Sequence, residues 1–198
     1  MNHDSKGVIN MKTNKKELIR EAAVKVIARE GFYNTKTSKI AEEAEIAVGT
    51  IYNYFNSKDE ILEYIFEVEF EKRIKILKNM KNTQSTIFEK LSIFIKKHFD
   101  EVRNNLDTAQ ILVREKEFPK SGDFSAILNY LNMIPVLLEE MLKEAVDKGE
   151  IKNQNISILA AMIFGGLQGI VEKALRTDSL EILDNAELEV INLLKKGI

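Results

Sequence analysis

Apolar residues recur along this chain with the spacing of α-helices and not with that of β-strands. In the first such segment, Leu18, Ala22 and Val26 fall on one face of a helix. No segment sustains the alternation of apolar and polar residues that is typical of strands. The pattern therefore predicts an all-α fold.

The helices are delimited by signals at their ends. Capping boxes are expected at Asn14 with Glu17 and at Ser57 with Glu60, threonine caps at Thr35 or Thr37, and a stop at Gly31 with Phe32 turned back onto the core. After two short helices and a long one that ends near Met80, the predicted helices are Thr86–Asn104, Leu106–Phe118, Phe124–Lys148 with a bend at Pro135, Asn155–Arg176 and Ala186–Lys196.

Composition excludes several kinds of chemistry. The chain of 198 residues has no cysteine and only two histidines, His3 and His98, so thiolate catalysis, disulfides and a histidine-rich metal site are not expected. We predict no catalytic residue, no metal and no cofactor. The polar N-terminus carries no apolar signal core, and the longest apolar run, Ile156–Val171, is short for a membrane span. A cytoplasmic protein without membrane contact is expected.

The stretch Ala41–Phe55 predicts a helix-turn-helix. Ala41 and Ala44 allow two short helices to approach closely, Ile46 fills the turn, and Ile51 and Phe55 point inward. The outer face is then short and able to form hydrogen bonds, which suits base edges in a major groove. The predicted DNA-binding residues are Lys36, Thr37, Val48, Gly49, Thr50, Tyr52, Asn53, Tyr54 and Lys58. Lys12, Lys15 and Lys16, in and directly after the N-terminal leader, are further candidates for backbone contact.

The same corner has a structural interpretation. Tyr52 and Tyr54 would then only cover the edge of the core, and Gly49 would only ease helix packing. A net charge of −2 does not decide between the two interpretations.

A family resemblance favours DNA binding. Gly31-Phe32, Thr35, Ile40-Ala41, Ala44, Ile46, Gly49-Thr50-Ile51-Tyr52, Tyr54-Phe55 and Ser57-Lys58-Asp59-Glu60-Ile61-Leu62 resemble the N-terminal signature of the TetR family of transcriptional regulators. The resemblance implies a three-helix DNA-binding domain, a larger helical ligand-binding domain, a homodimer, and a palindromic operator released on ligand binding. The domains expected are a flexible leader (residues 1–13), the DNA-binding domain (14–56) and the ligand-binding and dimerisation domain (57–198).

Three residues depart from that signature. Glu45 stands where the family usually has a turn glycine, and a left-handed glutamate there would cost roughly 1 kcal/mol. Ala47 and Val48 replace a common serine and a polar or basic residue, so some phosphate and base contacts are missing. Val48 is expected to contact a thymine methyl group instead.

The second domain offers candidates by residue type. Small residues in the apolar helix, together with the last helix, predict a four-helix dimer interface formed by Gly165, Gly166, Gly169, Ile191 and Leu194; the alternative is a helix buried in the monomer. An elongated apolar cavity is predicted from Phe66, Phe70, Phe94, His98, Gln110, Arg114, Tyr130, Met133, Met162 and Phe164, each of which could also be ordinary core.

Within the family, the second domain is most similar to the bacterial regulators of fatty-acid degradation that sense acyl-coenzyme A. The similar pieces are Lys97-His98-Phe99, Gln110 with Leu112 and Arg114, Gly149-Glu150-Ile151 and residues 160–165. The resemblance implies an acyl chain in the cavity, with Arg114 near coenzyme A phosphates. The alternatives are a multidrug sensor of the same family and a helical adaptor that does not bind DNA. An enzyme is disfavoured, because GGLQG lies in an apolar helix and no histidine pairs with a nearby carboxylate.

Overall fold

A computed structural model describes residues 4–81, 83–115 and 125–197, with only the backbone described for residues 4–14 and 125–130. The described residues form α-helices and no strand, which confirms the predicted all-α fold. The helices are α1 (Asp4–Glu30), α2 (Thr37–Glu43), α3 (Val48–Tyr52), α4 (Lys58–Lys81), α5 (Ile87–Asn104), α6 (Leu106–Arg114), α7 (Ser125–Asp147), α8 (Ile156–Arg176) and α9 (Ile182–Gly197).

Most helix ends lie within a few residues of their predicted positions, and the exceptions have local causes. α1 begins at Asp4, so the predicted start at Asn14 is wrong and part of the expected leader is helical. The polar leader contains no proline that would stop a helix from continuing into it. The N-cap of α2 is Lys36 and not a threonine; the Thr35 hydroxyl instead donates to the carbonyl of Gly31. Pro119 and residues 116–124 lie outside the described residues.

The chain divides into two compact units. The first comprises Met1–Glu67 with Asp107–Ser121, and the second Val68–Leu106 with Gly122–Ile198. α4 therefore begins in the first unit and ends in the second, whereas the predicted division at residue 56 preceded this helix. The reason lies in the first turns of α4: Ile61, Leu62 and Ile65 are fully buried there, and the Tyr64 ring lies 5.6 Å from that of Phe55. The division into autonomous domains stays a prediction.

The first unit has its core between α1 and the two short helices. Ile19, Ile27, Ile40, Ile51 and Phe55 are all buried, as their predicted inward positions require. Gly31 has a positive φ of 82° and donates its N–H to Ile27, so the predicted stop of α1 is confirmed. Phe32 is buried directly after it.

The second unit consists of the C-terminal half of α4 with α5, α7, α8 and α9, in which α8 packs on α7 and α9, and α5 packs on α9. The whole predicted inner face of α5 is buried: Ile87, Leu91, Phe94, Ile95 and Phe99. By length and composition alone, α8 could cross a membrane. The apolar run Ile156–Val171 was expected to be too short for that, but the helix extends to Arg176. A core helix of a globular protein passes the same test, and Leu159, Ile163 and Leu167 of α8 are buried in this unit.

Candidate nucleic-acid interface and effector site

The turn between α2 and α3 is closed by a Schellman motif. The N–H of Ile46 donates to the carbonyl of Ala41 at 2.9 Å, and the N–H of Glu45 donates to that of Glu42 at 3.1 Å. Glu45 occupies the left-handed position with φ of 53°. The predicted left-handed glutamate is therefore present, and the hydrogen bonds of the motif hold it there.

α3 begins without a side-chain cap. Its N-cap is Ala47, whose methyl group cannot accept a hydrogen bond from the first turn. The helix is only five residues long and is anchored by the buried side chain of Ile51. Tertiary contact, and not capping, therefore holds this helix.

The predicted recognition residues share one open face. Val48, Gly49, Asn53 and Tyr52 are exposed, Tyr52 by 54%, whereas Thr50 and Tyr54 are half-buried. Lys36 is exposed and Thr37 half-buried at the start of α2. An exposed Tyr52 does not cover the core, so the structural interpretation of this residue is wrong.

Gly49 packs against no other element in the part of the chain that the structure describes. A Cβ placed on it would meet no heavy atom within 4 Å among the described residues, apart from its own helix backbone and chain neighbours. An exposed glycine inside a helix costs roughly 1 kcal/mol relative to alanine. The interpretation that Gly49 eases helix packing is thus wrong, and its bare backbone is free for an external partner.

Lys58 lies elsewhere than predicted. Its ammonium donates to the carbonyls of Phe32 at 2.6 Å and Thr35 at 2.8 Å, and lies 4.4 Å from the centre of the Phe32 ring. Burial lowers the pKa of Lys58, while the nearby carboxylates of Asp59 and Glu115 oppose that shift. These contacts give Lys58 a structural role between α4 and the α1–α2 turn, in place of the predicted phosphate contact.

Arg114 also makes contacts different from those predicted. Its guanidinium donates to the carbonyls of Ile27 at 2.6 Å and Ala28 at 3.4 Å, and pairs with the carboxylate of the buried Glu115 at 2.9 Å. It therefore satisfies carbonyls at the C-terminal end of α1. Gln110, one turn earlier on α6, is exposed.

A polar cluster is buried in the second unit around His98. Arg73 donates from Nε to Nδ1 of His98 at 3.2 Å and from Nη1 to the carboxylate of Glu69 at 3.3 Å. All three side chains are buried. Burial, with the adjacent Arg73 charge, lowers the pKa of His98 to about 3. The i, i+4 spacing of Glu69 and Arg73 was the available signal for this pair, which sequence reasoning missed.

The predicted cavity residues separate into two groups. Phe70, Phe94, Phe164 and His98 are each buried in the second unit, and Phe66 is buried in the first. Met133 is 37% exposed and Met162 68% exposed, so the inward position predicted for Met162 is wrong; it lies on the open face of α8. The side chain of Tyr130 lies outside the described residues.

The open face of α8 is small and apolar. Gly165, Gly166 and Gly169 are exposed, and a Cβ on any of them would meet nothing within 4 Å in the described chain beyond its own helix and neighbours. Ile158 and Met162 on α8 and Leu193 on α9 are also exposed. Of the α9 residues predicted for the interface, Ile191 is buried and Leu194 half-buried within the monomer.

A groove between α5 and α9 was not anticipated from the sequence. It has a volume of about 830 Å³ and is lined by Phe88, Ser92, Ile93, Leu188, Lys195 and neighbouring residues.

Among the described residues, no group of three or more histidine, aspartate or glutamate side chains is arranged to hold a metal ion.

A helix-turn-helix with an open recognition face, followed by a helical second unit, defines a class of DNA-binding regulator. The chain belongs to the TetR family: residues 19–65 match the model of the bacterial regulatory proteins of the tetR family, and residues 66–197 match that of the YsiA-like protein C-terminal region. It is a ligand-responsive transcriptional regulator and not an enzyme, as predicted.

Its similarity to particular regulators extends over nearly the whole chain. The fatty acid metabolism regulator protein of Bacillus subtilis (strain 168) is 32% identical over 185 residues, which cover 91% of this chain and 93% of that protein. The structure of the transcriptional regulator FadR from Bacillus subtilis in complex with stearoyl-CoA superposes with a TM-score of 0.82 at 30% identity, covering 92% of this chain and 98% of that one. The fatty acid degradation regulator FadR from Bacillus halodurans gives 0.82 at 29% identity, with the same coverage of both chains.

Proposed function

We propose that this chain is a cytoplasmic homodimeric repressor that binds a palindromic operator through α3 and is released by a long-chain acyl-coenzyme A. The observation that carries the DNA-binding part is the open face of α3, where a Cβ on Gly49 would meet no described residue beyond its own helix and chain neighbours. The effector is supported by the B. subtilis relative that was crystallised with stearoyl-CoA.

The recognition face supports readout of bases in the major groove. Thr50 and Asn53 offer a hydroxyl and an amide to base edges, and Val48 offers a methyl contact to thymine. The hydroxyls of Tyr52 and Tyr54 suit phosphate oxygens on either side, and they position the helix without reading sequence. Lys36 takes the cationic role first expected of Lys58, since its side chain is exposed.

The open face of α8 supports a two-fold dimer. Three exposed glycines permit close approach of a second copy of the helix, and the exposed Ile158, Met162 and Leu193 supply apolar area around them. In such a dimer the two copies of α3 would bind half-sites one turn apart on the duplex, about 34–36 Å along its axis.

The transmission of the effector signal is proposed to run through α4 and α6. α4 continues from the first unit into the second, and α6 is grouped with the first unit although it follows α5 of the second. Arg114 of α6 is bonded to the last carbonyls of α1, so displacement of α6 would change the hold on the DNA-binding helices. A coupling free energy of about 1–3 kcal/mol would change operator affinity by roughly 5- to 150-fold.

The experiment that tests this function is selection of the purified protein on a random duplex pool at moderate salt. Enrichment of an inverted repeat is expected. Stearoyl-CoA should then displace the protein from the recovered site, whereas coenzyme A alone and the lipophilic cation tetraphenylphosphonium should not. Displacement by the cation would instead indicate a multidrug sensor. Failure of folded protein to enrich any site would overturn the proposal.

A further inference from the structure

The imidazole of His98 is held in one tautomer. Its Nδ1 accepts a hydrogen bond from Arg73 Nε at 3.2 Å, so Nδ1 carries no proton. Arg73 is fixed in turn by Glu69, whose backbone carbonyl accepts from Nη1 at 2.6 Å and whose carboxylate accepts at 3.3 Å. Because the pKa of His98 is about 3, the ring is neutral at physiological pH and its single proton lies on Nε2.

That Nε2–H donor is buried and has no hydrogen-bond partner among the residues that the structure describes. A buried donor left without an acceptor costs about 1–3 kcal/mol. The ring lies beside Phe94 and Phe99, with ring centroids 6.2 and 5.6 Å away, and these hydrocarbon rings offer the donor no oxygen or nitrogen acceptor. The hydrogen bond from Arg73 accounts for Nδ1 of His98 and leaves the Nε2–H donor unused.

The surroundings select the kind of acceptor that this donor takes. Glu69 pairs with Arg73 at 3.3 Å and with Lys72 at 2.7 Å. Lys72 also pairs with Glu101 at 3.3 Å, so two cations are already balanced by two carboxylates. An additional carboxylate would bring an uncompensated charge into a buried site, which is strongly unfavourable. A neutral carbonyl oxygen accepts from a neutral N–H without that cost.

We propose that the Nε2–H of His98 donates to the thioester carbonyl of the bound acyl-coenzyme A, and so distinguishes a thioester from an effector that lacks this oxygen. Glu69 and Arg73 are positioning residues that fix the tautomer. This inference rests on the proposed function, because it assumes that an acyl thioester is the effector.

The test compares stearoyl-CoA with S-octadecyl-CoA, a thioether in which a methylene replaces the carbonyl. Dissociation constants for both are measured by calorimetry on the wild type, His98→Asn and His98→Gln. The asparagine oxygen replaces Nδ1 as the acceptor for Arg73 but leaves no donor at the Nε2 position, whereas the glutamine amide places an N–H near it. Circular dichroism and operator binding are measured to check that both variants are folded.

The wild type should bind the thioester about tenfold more tightly than the thioether, the value of one buried hydrogen bond. His98→Asn should bind the two ligands equally, and His98→Gln should keep part of the preference. Equal binding by the wild type, or a preference retained by His98→Asn, would overturn the role of His98 while acyl-CoA stands as the effector. If the wild type binds neither ligand, the effector proposal and this inference fall together.

Discussion

The recognition face of α3 and the open face of α8 share one unusual feature and differ in another. Both expose helical glycines whose missing side chains the fold does not require. Around Gly49 the exposed neighbours, such as Asn53 and Tyr52, carry groups that can form hydrogen bonds, whereas around Gly165 they are apolar, as in Ile158 and Met162. A glycine kept against helix propensity without an internal contact indicates an external one, and its neighbours indicate whether that partner is a nucleic acid or a protein surface.

The largest effect is expected on the α8 face. Replacing Gly165 and Gly169 with leucine would separate the two helices of a dimer. We expect the dissociation constant of the dimer to rise by at least about 1,000-fold, which corresponds to a loss of roughly 4 kcal/mol in association free energy. Analytical ultracentrifugation measures this. Lys97→Leu, which adds the same side chain at an exposed position of α5, is the control and should leave the dimer intact. A double variant that stays dimeric at nanomolar concentration would contradict the proposed interface.

A comparison of Lys58 with Lys36 distinguishes a structural role from a DNA-binding role for the lysines of the first unit. Lys58→Met would remove the hydrogen bonds to Phe32 and Thr35, and should lower the free energy of unfolding by about 2 kcal/mol. The exposed Lys36 is the matched control: Lys36→Met should change stability by less than about 0.5 kcal/mol and reduce the salt dependence of operator binding by about one ion. Urea unfolding and binding at several salt concentrations provide both readouts. If Lys58→Met instead reduced the salt dependence of operator binding and left stability unchanged, Lys58 would contact a phosphate, as the sequence predicts.

Gly49→Ala should move stability and operator affinity in opposite directions. The added methyl group meets open space and improves helix propensity, so stability should rise by about 0.5–1 kcal/mol. The same methyl group should weaken operator binding by about tenfold if the backbone approaches the duplex closely, at a cost near 1.4 kcal/mol. Thermal unfolding and fluorescence anisotropy measure the two quantities. Unchanged affinity in the stabilised variant would remove Gly49 from the recognition face.

The smallest effect concerns the uncapped start of α3. Ala47→Ser places a hydroxyl at an N-cap with extended backbone, φ −69° and ψ 143°, and should stabilise the protein by about 1 kcal/mol. Ala47→Val, which adds bulk without an acceptor, is the control and should bring no gain. A serine that leaves the unfolding temperature unchanged would indicate that α3 is held entirely by its buried anchors.

The sequence by itself determined the all-α class, most of the helix ends, the helix-turn-helix and the family. These rest on local signals that need no distant partner: the spacing of apolar residues, Gly31 at the end of α1, and the order of small and apolar residues from Ala41 to Phe55. Even the strained turn at Glu45 could be anticipated, because a Schellman motif is set by adjacent residues.

Only the tertiary structure decided how the charged residues are used. Lys58 and Arg114 are residue types that commonly bind phosphates. In this structure both donate to carbonyls near the end of α1, 23 or more residues away along the chain. The sequence makes His98 a candidate ligand contact but does not determine its tautomer, which the hydrogen bond from Arg73 fixes. A cation binds the acceptors that the fold places within about 3 Å of it, and local sequence patterns do not predict which acceptors these are.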